Sequence, residues 1–140
     1  MTEIKPNNVI RVPCKLENVF RYWLEFLFPF HHLTDREIDV ATLYLVKRYQ
    51  LSKVILDEGI LNRTLMGEDV QKEVKALCEI TNQHFQVIRS KLKAKKFFLD
   101  NRINPRLIPN IKEDKDNFQL LLLFDYEGSK DMQTNSTVDS

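Results

Sequence analysis

The stretch VQKEVKALCEITNQHFQVIRSKLKAKKFF, residues 70–98, predicts two helices joined by a tight three-residue corner. Its first half carries apolar side chains at the i, i+4, i+7 and i+8 spacing of one helical face, namely Val70, Val74, Leu77 and Cys78. Its second half repeats this spacing with Phe85, Ile88 and Leu92. Between the two halves, Thr81, Asn82 and Gln83 offer short polar side chains that can cap the second helix. The pattern is typical of a helix-turn-helix.

The second helix of this pair also has a polar side. At about 100° per residue, six polar residues fall on one arc away from the apolar face: Asn82, Gln83, Gln86, Arg89, Ser90 and Lys93. A helix that enters the DNA major groove needs such an arc, because Asn, Gln and Arg side chains can pair with base edges. An ordinary amphipathic surface helix shows the same arc, so both interpretations stay open.

Length and composition favour one compact domain. The chain has 140 residues, of which 43% are hydrophobic and 29% charged, and this suits a single core with short tails. Basic and acidic residues number 21 and 20, so the overall charge does not indicate a nucleic-acid or membrane partner. Residues 89–106 nevertheless hold seven basic residues against Asp100 alone, and from Leu107 onwards there are three basic and seven acidic residues. This distribution favours one of two arrangements. In the first, the basic segment binds DNA and the acidic segment of the same chain screens it; in the second, the two segments make complementary contacts between copies of the chain.

The N-terminal region is predicted to be an arm followed by an aromatic helix. Residues 1–15 form the arm, in which Val9, Ile10 and Val12 indicate a short extended segment that can reach a neighbouring chain. Residues 16–28 predict a helix in which Tyr22 and Phe26 widen the apolar surface beyond the inward stripe. The aromatic residues fill the core of a small domain in one interpretation. In the other, Tyr22 and Phe26 belong to an exposed apolar patch that docks a partner.

Local signals place the next helices. Thr34 and Glu37 have the spacing of a capping box, so a helix is predicted from there to about Arg48. A shorter helix over residues 51–57 is predicted to follow and to end at Gly59. The two cysteines, Cys14 and Cys78, are far apart in sequence and are predicted to be free thiols.

Parts of this pattern resemble three groups of helix-turn-helix proteins. The segment LTDREIDV, residues 33–40, resembles the opening of LuxR-type helix-turn-helix domains, and residues 72–92 are similar in spacing to their second and third helices and to sigma-factor region 4. The following segments KLKAKKFFLDNRINPRLIPNI and FQLLLLFDYE resemble the winged-helix exit of MarR-type proteins. These resemblances imply a mainly α fold with a small antiparallel β-hairpin over residues 97–124, a winged helix-turn-helix. The domain is expected over residues 16–125, with the arm at 1–15 and a polar C-terminal tail at 126–140.

The order LTDRE, a KL-basic stretch and INPRLIP also resembles small uncharacterised proteins from the structural gene block of crAss-like and related tailed phages. This resemblance spans most of residues 16–125 and implies a phage protein that is part of the particle.

Motifs for catalysis are scarce in the chain. Three glycines cannot build a phosphate-binding loop, and the sequence contains no GxSxG or HExxH. The three histidines and two cysteines lack the paired spacing of a zinc site; His31 and His32 are interpreted as a polar helix end. We therefore expect no enzyme activity, no cofactor and no metal.

Two functional hypotheses follow. The first is a structural adaptor of a tailed-phage virion, in the portal, neck or a capsid-associated assembly, whose partners are copies of itself or virion neighbours and whose contact residues are Val9, Ile10, Val12, Tyr22 and Phe26. The alternative is a regulator that binds duplex DNA, with these contact residues: Asn82, Gln83, Gln86, Arg89, Lys93, Lys96 and Arg102.

A membrane partner is not expected, because residues 23–30, the longest apolar run, are interrupted by Glu25 and Pro29. The N-terminus lacks the basic start and apolar core of a signal peptide, so the expected location is the virion or the host cytoplasm.

Overall fold

The computed structural model describes residues 9–112, 117–120 and 124–127. Within these ranges the chain forms six helices: α1 Leu16–Phe26, α2 Phe28–His31, α3 Asp35–Ser52, α4 Glu58–Leu65, α5 Glu68–Cys78 and α6 Asn82–Ala94. A 3-10 turn, Pro105–Leu107, follows them. The chain divides into two units between Pro109 and Asn110. All six helices belong to the first unit, and the described residues of the second form neither helix nor strand.

Helix α3 is the centre of the first unit and packs against α1, α4, α5 and α6. Its start is the predicted capping box. The Thr34 Oγ1 atom accepts a hydrogen bond from the Glu37 backbone N–H at 3.3 Å, and the Glu37 Oε1 atom accepts one from the Thr34 N–H at 3.0 Å. Two backbone donors that the first helical turn leaves without partners are thereby satisfied.

The predicted helix over residues 51–57 is wrong. Helix α3 continues to Ser52, and the next helix, α4, begins only after Asp57 and contains Gly59. The Asp57 Oδ1 atom accepts a hydrogen bond from the Ile60 N–H at 2.9 Å. This side-chain cap starts α4 just before Gly59. The glycine therefore lies in the first turn of a helix and does not end the preceding one.

The predicted corner between α5 and α6 is confirmed. Helix α5 ends at Cys78, three residues follow, and Thr81 caps α6 by accepting a hydrogen bond from the His84 N–H at 3.1 Å. Glu79 adopts the left-handed conformation with φ of 54° and closes α5.

The core lies between α3 and the helices around it. Its largest fully buried side chains include Tyr44, Phe85, Leu92, Phe97, Leu24 and Leu65. Leu77, predicted to be buried with Val70 and Val74, is instead 62% exposed. It lies in the last turn of α5, and helical periodicity cannot tell how far along the axis a neighbouring element extends.

The predicted wing is also wrong. Across the described ranges there is no β-strand, and the only ladder contact there is a single antiparallel bridge between Phe98 and Ile103. Asp100 and Asn101 both have positive φ, of 56° and 58°, a conformation that Asp and Asn tolerate better than most residues. The chain after α6 therefore reverses within a few residues, so Phe98 bridges to Ile103 and residues 97–99 do not begin the predicted long hairpin. Residues 121–123, which belong to the predicted hairpin, lie outside the described residues.

Candidate functional site

Helix α1 is fixed to the rest of the first unit by polar contacts on its inner side. The Arg21 guanidinium lies 2.7 Å from the Asp39 carboxylate of α3. The Trp23 indole N–H donates a hydrogen bond to the Leu107 carbonyl at 2.9 Å. Phe20 and Leu24 are buried on the same side. These contacts fix the rotation of α1, and so they determine which of its side chains face outwards.

The outer side of α1 and the helix that follows it are aromatic. We call the exposed aromatic side chains there the aromatic strip, which consists of Tyr22, Phe26, Phe28 and Phe30. Phe26 is 55% exposed and Phe30 is 71% exposed. Tyr22 and Phe26 are one helical turn apart and therefore neighbours on the surface. Tyr22 also lines an open groove together with Asn18, Arg21 and Glu25.

Tyr22 and Phe26 are predicted contact residues, whereas Phe28 and Phe30 are not among them. The alternation in Phe28-Pro29-Phe30 was the available signal. Pro29 lies in the first turn of α2, where a missing backbone N–H costs no helical hydrogen bond. The helix has four residues and ends at His32 with φ of 56°, and both of its phenylalanines are exposed.

The arm precedes this strip in the chain. From residue 9 to residue 15 the backbone forms neither helix nor strand. Val9, Ile10 and Val12, predicted to contact a partner, are all exposed. With Leu16, the arm and the aromatic strip place eight exposed large apolar side chains within residues 9–30.

The corner between α2 and α3 contains a buried histidine. The His31 side chain is 4% exposed, its Nδ1 atom accepts a hydrogen bond from the Leu33 backbone N–H at 2.9 Å, and its Nε2 atom lies 2.6 Å from the Leu24 carbonyl oxygen. The interpretation of His31 as a polar helix end missed this burial, for which the sequence carried no local signal.

An ion pair closes the same corner from the other side. The Lys95 Nζ atom, just after α6, donates to the Glu37 Oε1 atom at 2.7 Å and to the His32 carbonyl at 3.1 Å. The Glu37 side chain is buried. Burial alone would raise the pKa of Glu37, but the hydrogen bonds from Lys95 and Thr34 and the charges of Lys95 and Lys91 lower it below its ordinary value.

The residues predicted to contact DNA are only partly brought together. Asn82, Gln83, Gln86 and Lys93 are exposed on α6, and Lys96 is exposed just beyond its end. The Asn82 side-chain oxygen accepts hydrogen bonds from Lys75 at 2.8 Å and from Gln86 at 3.4 Å. Both amides would have to exchange these contacts before they could pair with a base.

Arg89 and Arg102 are placed differently from the other predicted DNA contacts. Both are half-buried. Burial raises the pKa of the Tyr44 hydroxyl, and the positive charge of the neighbouring Arg89 side chain partly opposes that rise. Arg89 therefore faces a core tyrosine. Arg102 lies in the tight loop before Ile103, where its backbone carbonyl accepts a hydrogen bond from the Leu99 N–H at 2.7 Å, and no wing presents it.

A search of the described residues for clusters of at least three His, Cys, Asp or Glu that could hold a metal found none. Nor does any helix in this part of the chain have the length and apolarity needed to cross a membrane. Comparison with known proteins found no family model, no curated protein and no solved structure that matches the chain.

Proposed function

We propose that the chain is a structural adaptor of a tailed-phage virion that docks a neighbouring protein through the aromatic strip. The observation that carries this proposal is the exposure of Tyr22, Phe26, Phe28 and Phe30 along two consecutive helices whose inner side is packed and hydrogen-bonded. Soluble monomers rarely leave contiguous apolar surface in water, and large exposed patches mark interaction sites.

The expected strength of this contact can be bounded. Four half-exposed aromatic rings offer about 400 Å² of surface to cover, which corresponds to about 10 kcal/mol at about 25 cal/mol/Å². Association itself costs about 4–15 kcal/mol. The aromatic strip alone therefore supports weak or moderate binding, and a stable assembly needs further contacts.

The arm is the natural source of those contacts. Val9, Ile10 and Val12 are exposed, and an extended segment can add a strand to the sheet edge of a neighbouring protein through main-chain hydrogen bonds. Arm and strip adjoin in sequence, so one neighbour can bind both. The setting in a virion is supported by the resemblance of LTDRE, the KL-basic stretch and INPRLIP to structural-block phage proteins.

The test is incorporation of an epitope-tagged chain into particles purified by gradient sedimentation. The double variant Tyr22→Asp/Phe26→Asp places charge in the strip and should reduce incorporation at least about tenfold, the effect of about 1.4 kcal/mol. The control is Val54→Asp/Leu56→Asp, because these two apolar side chains are exposed after α3 and outside the strip. Equal incorporation of both double variants, with unchanged melting temperatures, would contradict the proposal.

Duplex DNA remains a second candidate partner, favoured by one specific observation. Residues 80–99 contain no acidic residue, and Lys93, Lys96 and Gln86 are exposed within them. Lys93→Ala/Lys96→Ala should then weaken binding to all duplex sequences and flatten the salt dependence by up to about two units in the log-log slope. Arg11→Ala/Lys15→Ala removes two exposed positive charges elsewhere and serves as the control. An unchanged slope in the first variant would exclude this surface.

A further inference from the structure

His31 has two backbone partners that together define its protonation state. The Leu33 N–H can only donate, so the Nδ1 atom 2.9 Å away must accept. The Leu24 carbonyl can only accept, so the Nε2 atom 2.6 Å away must carry a hydrogen. This arrangement fits the neutral Nε2–H imidazole. A second proton at Nδ1 would set two donors against each other inside the fold.

The charges around this ring also disfavour protonation. His32 is the next residue in the chain, and the Lys95 ammonium group faces the corner from the end of α6. The Glu37 carboxylate of α3 is paired with Lys95 and also acted on by Lys91. From α1 the facing group is the Leu24 carbonyl. Burial lowers the pKa of His31 below its ordinary value; the Leu24 hydrogen bond opposes this, and His32 and Lys95 lower the pKa further.

The same histidine holds the aromatic strip in position. Its hydrogen bonds join the backbone of α1 at Leu24 to the residue before the Thr34 cap. The Phe28 ring contacts the His31 ring edge-on, with centroids 6.0 Å apart, and the His32 ring at 5.5 Å. Loss of the Leu33 hydrogen bond would therefore move the part of the strip that α2 carries.

From this geometry we propose that His31 is a proton-operated latch. When its ring is neutral, it fixes α2 and the aromatic strip against α1 and α3; when it is protonated, the corner opens and docking through the strip weakens. This inference rests on the proposed docking role of the strip.

The direction of the effect follows from linkage. A histidine whose pKa is lowered in the folded state contributes full stability above its ordinary pKa near 6.5. That stability decreases as the pH falls through this value, because the open state takes up a proton more readily. The corner is therefore closed at neutral pH and opens in mild acid.

The test uses the free full-length chain and nuclear magnetic resonance. Nitrogen shifts of the His31 ring at pH 7.5 should show an unprotonated Nδ1 and a protonated Nε2, and the ring should titrate below the ordinary histidine value of 6.5. Between pH 7.5 and pH 5, amide exchange of residues 27–33, corrected for its intrinsic pH dependence, should accelerate about tenfold if the pKa of folded His31 lies about one unit below 6.5, and at most about thirtyfold for a larger shift, because pH 5 lies about 1.5 units below 6.5. The amides of α5 should not follow.

His31→Asn keeps an acceptor for the Leu33 N–H but cannot titrate near neutral pH, so the acid acceleration should disappear. His32→Asn is the matched control: His32 is exposed and has φ of 56°, which asparagine tolerates. The control should keep the acceleration. An acid acceleration that survives in His31→Asn, or a wild-type His31 ring that titrates at or above the ordinary value of 6.5, would overturn the proposal, and the ring titration gives a result even if His31→Asn does not fold.

The latch and the docking role can fail separately. The latch is measured in the free chain, and Tyr22→Asp/Phe26→Asp leaves the His31 hydrogen bonds in place. If particle incorporation at neutral pH is insensitive to that double variant, the docking role fails, and only the acid-driven opening of the corner in the free chain stands. If incorporation depends on the strip but His31→Asn does not change the acid response, only the latch fails.

Discussion

The ammonium nitrogen of Lys95 lies 2.7 Å from a carboxylate oxygen of Glu37 and joins the end of α6 to the first turn of α3. The same carboxylate accepts the Thr34 N–H of the capping box, and the same ammonium donates to the His32 carbonyl. One ion pair therefore connects three parts of the chain: the end of α2, the start of α3 and the end of α6. It also withdraws Lys95 from the basic residues that could contact a phosphate.

Replacing Glu37 should lower the free energy of unfolding more than replacing an ordinary residue in the first turn of a helix. Glu37→Ala removes part of the cap, worth about 1 kcal/mol, and a charged hydrogen bond, worth about 1.5–3 kcal/mol, so we expect a loss of about 2–4 kcal/mol in the free energy of unfolding. Urea denaturation measures this. Glu25→Ala is the control, because the Glu25–Arg21 pair is half exposed on both sides and should contribute little. Equal effects of the two substitutions would show that the buried pair is not important for stability.

The Glu37 carboxylate and the His31 ring should weaken the fold over different pH ranges. The pKa of Glu37 is lowered from 4.5, so its contribution is complete above that value and decreases as the pH falls through the lowered pKa. The stability that neutral His31 contributes begins to decrease below about pH 6.5. Stability profiles from pH 8 to pH 3 should therefore lose their upper slope in His31→Asn and their lower slope in Glu37→Gln. If either substitution removes the other's slope, these assignments are wrong.

Leu92 and Leu77 provide a matched pair that separates burial from periodicity. Both lie on an apolar helical face in the sequence pattern, but Leu92 is 0% exposed and Leu77 is 62% exposed. Leu92→Ala should cost about 2–5 kcal/mol, whereas Leu77→Ala should stay within about 0.5 kcal/mol. Thermal and urea unfolding of the two variants measure the difference. Comparable losses would mean that Leu77 is covered in solution.

Leu77 also illustrates which parts of the fold were predictable. The caps at Thr34 and Thr81 and the corner after Cys78 depend on residues within one helical turn, and each is in its predicted place. Whether Leu77 is covered depends on a neighbouring element that is distant in sequence, and periodicity carries no information about that.

The prediction of the wing was wrong because it overlooked a local signal, whereas the error at Leu77 came from missing long-range information. The wing prediction paired residues 97–99 with a segment about 20 positions away, although a local signal was present at Asp100 and Asn101. Two adjacent residues that tolerate positive φ favour a tight turn of the backbone at that position. Phe98 accordingly bridges to Ile103. Of the candidate surface, the aromatic residues on α1 could be named from sequence, but the burial of His31 and Arg89 could not, because both depend on tertiary packing.

The Trp23 hydrogen bond to Leu107 should make a small, measurable contribution. Trp23→Phe keeps an aromatic ring but removes the donor that ties α1 to the 3-10 turn. We expect a loss of about 0.5–1.5 kcal/mol from the hydrogen bond, with a further contribution from the smaller ring. Circular dichroism at increasing urea measures it, since the variant lacks the only tryptophan. Tyr22→Phe, on the exposed side of α1, is the control and should be neutral.

Truncation of the termini distinguishes assembly from folding. Val9, Ile10 and Val12 are exposed and lie outside the helices, so removal of residues 1–12 should change the free energy of unfolding by less than about 0.5 kcal/mol. The melting temperature should then move by less than about 4 °C. Removal of residues 127–140, a predominantly polar segment, should be equally mild. Removal of residues 1–20 is the contrasting variant, because it takes away the buried Phe20 and should lower the melting temperature strongly.

Particle incorporation should respond in the opposite way. If the arm adds main-chain hydrogen bonds to a neighbour, the chain without residues 1–12 should fold normally but be lost from purified particles, as scored by immunoblot of gradient fractions and by electron microscopy. Normal particles from the chains without residues 1–12 and without residues 127–140 would contradict a role of the termini in assembly. A collapse of the melting temperature on removal of residues 1–12 would instead assign the arm to the fold.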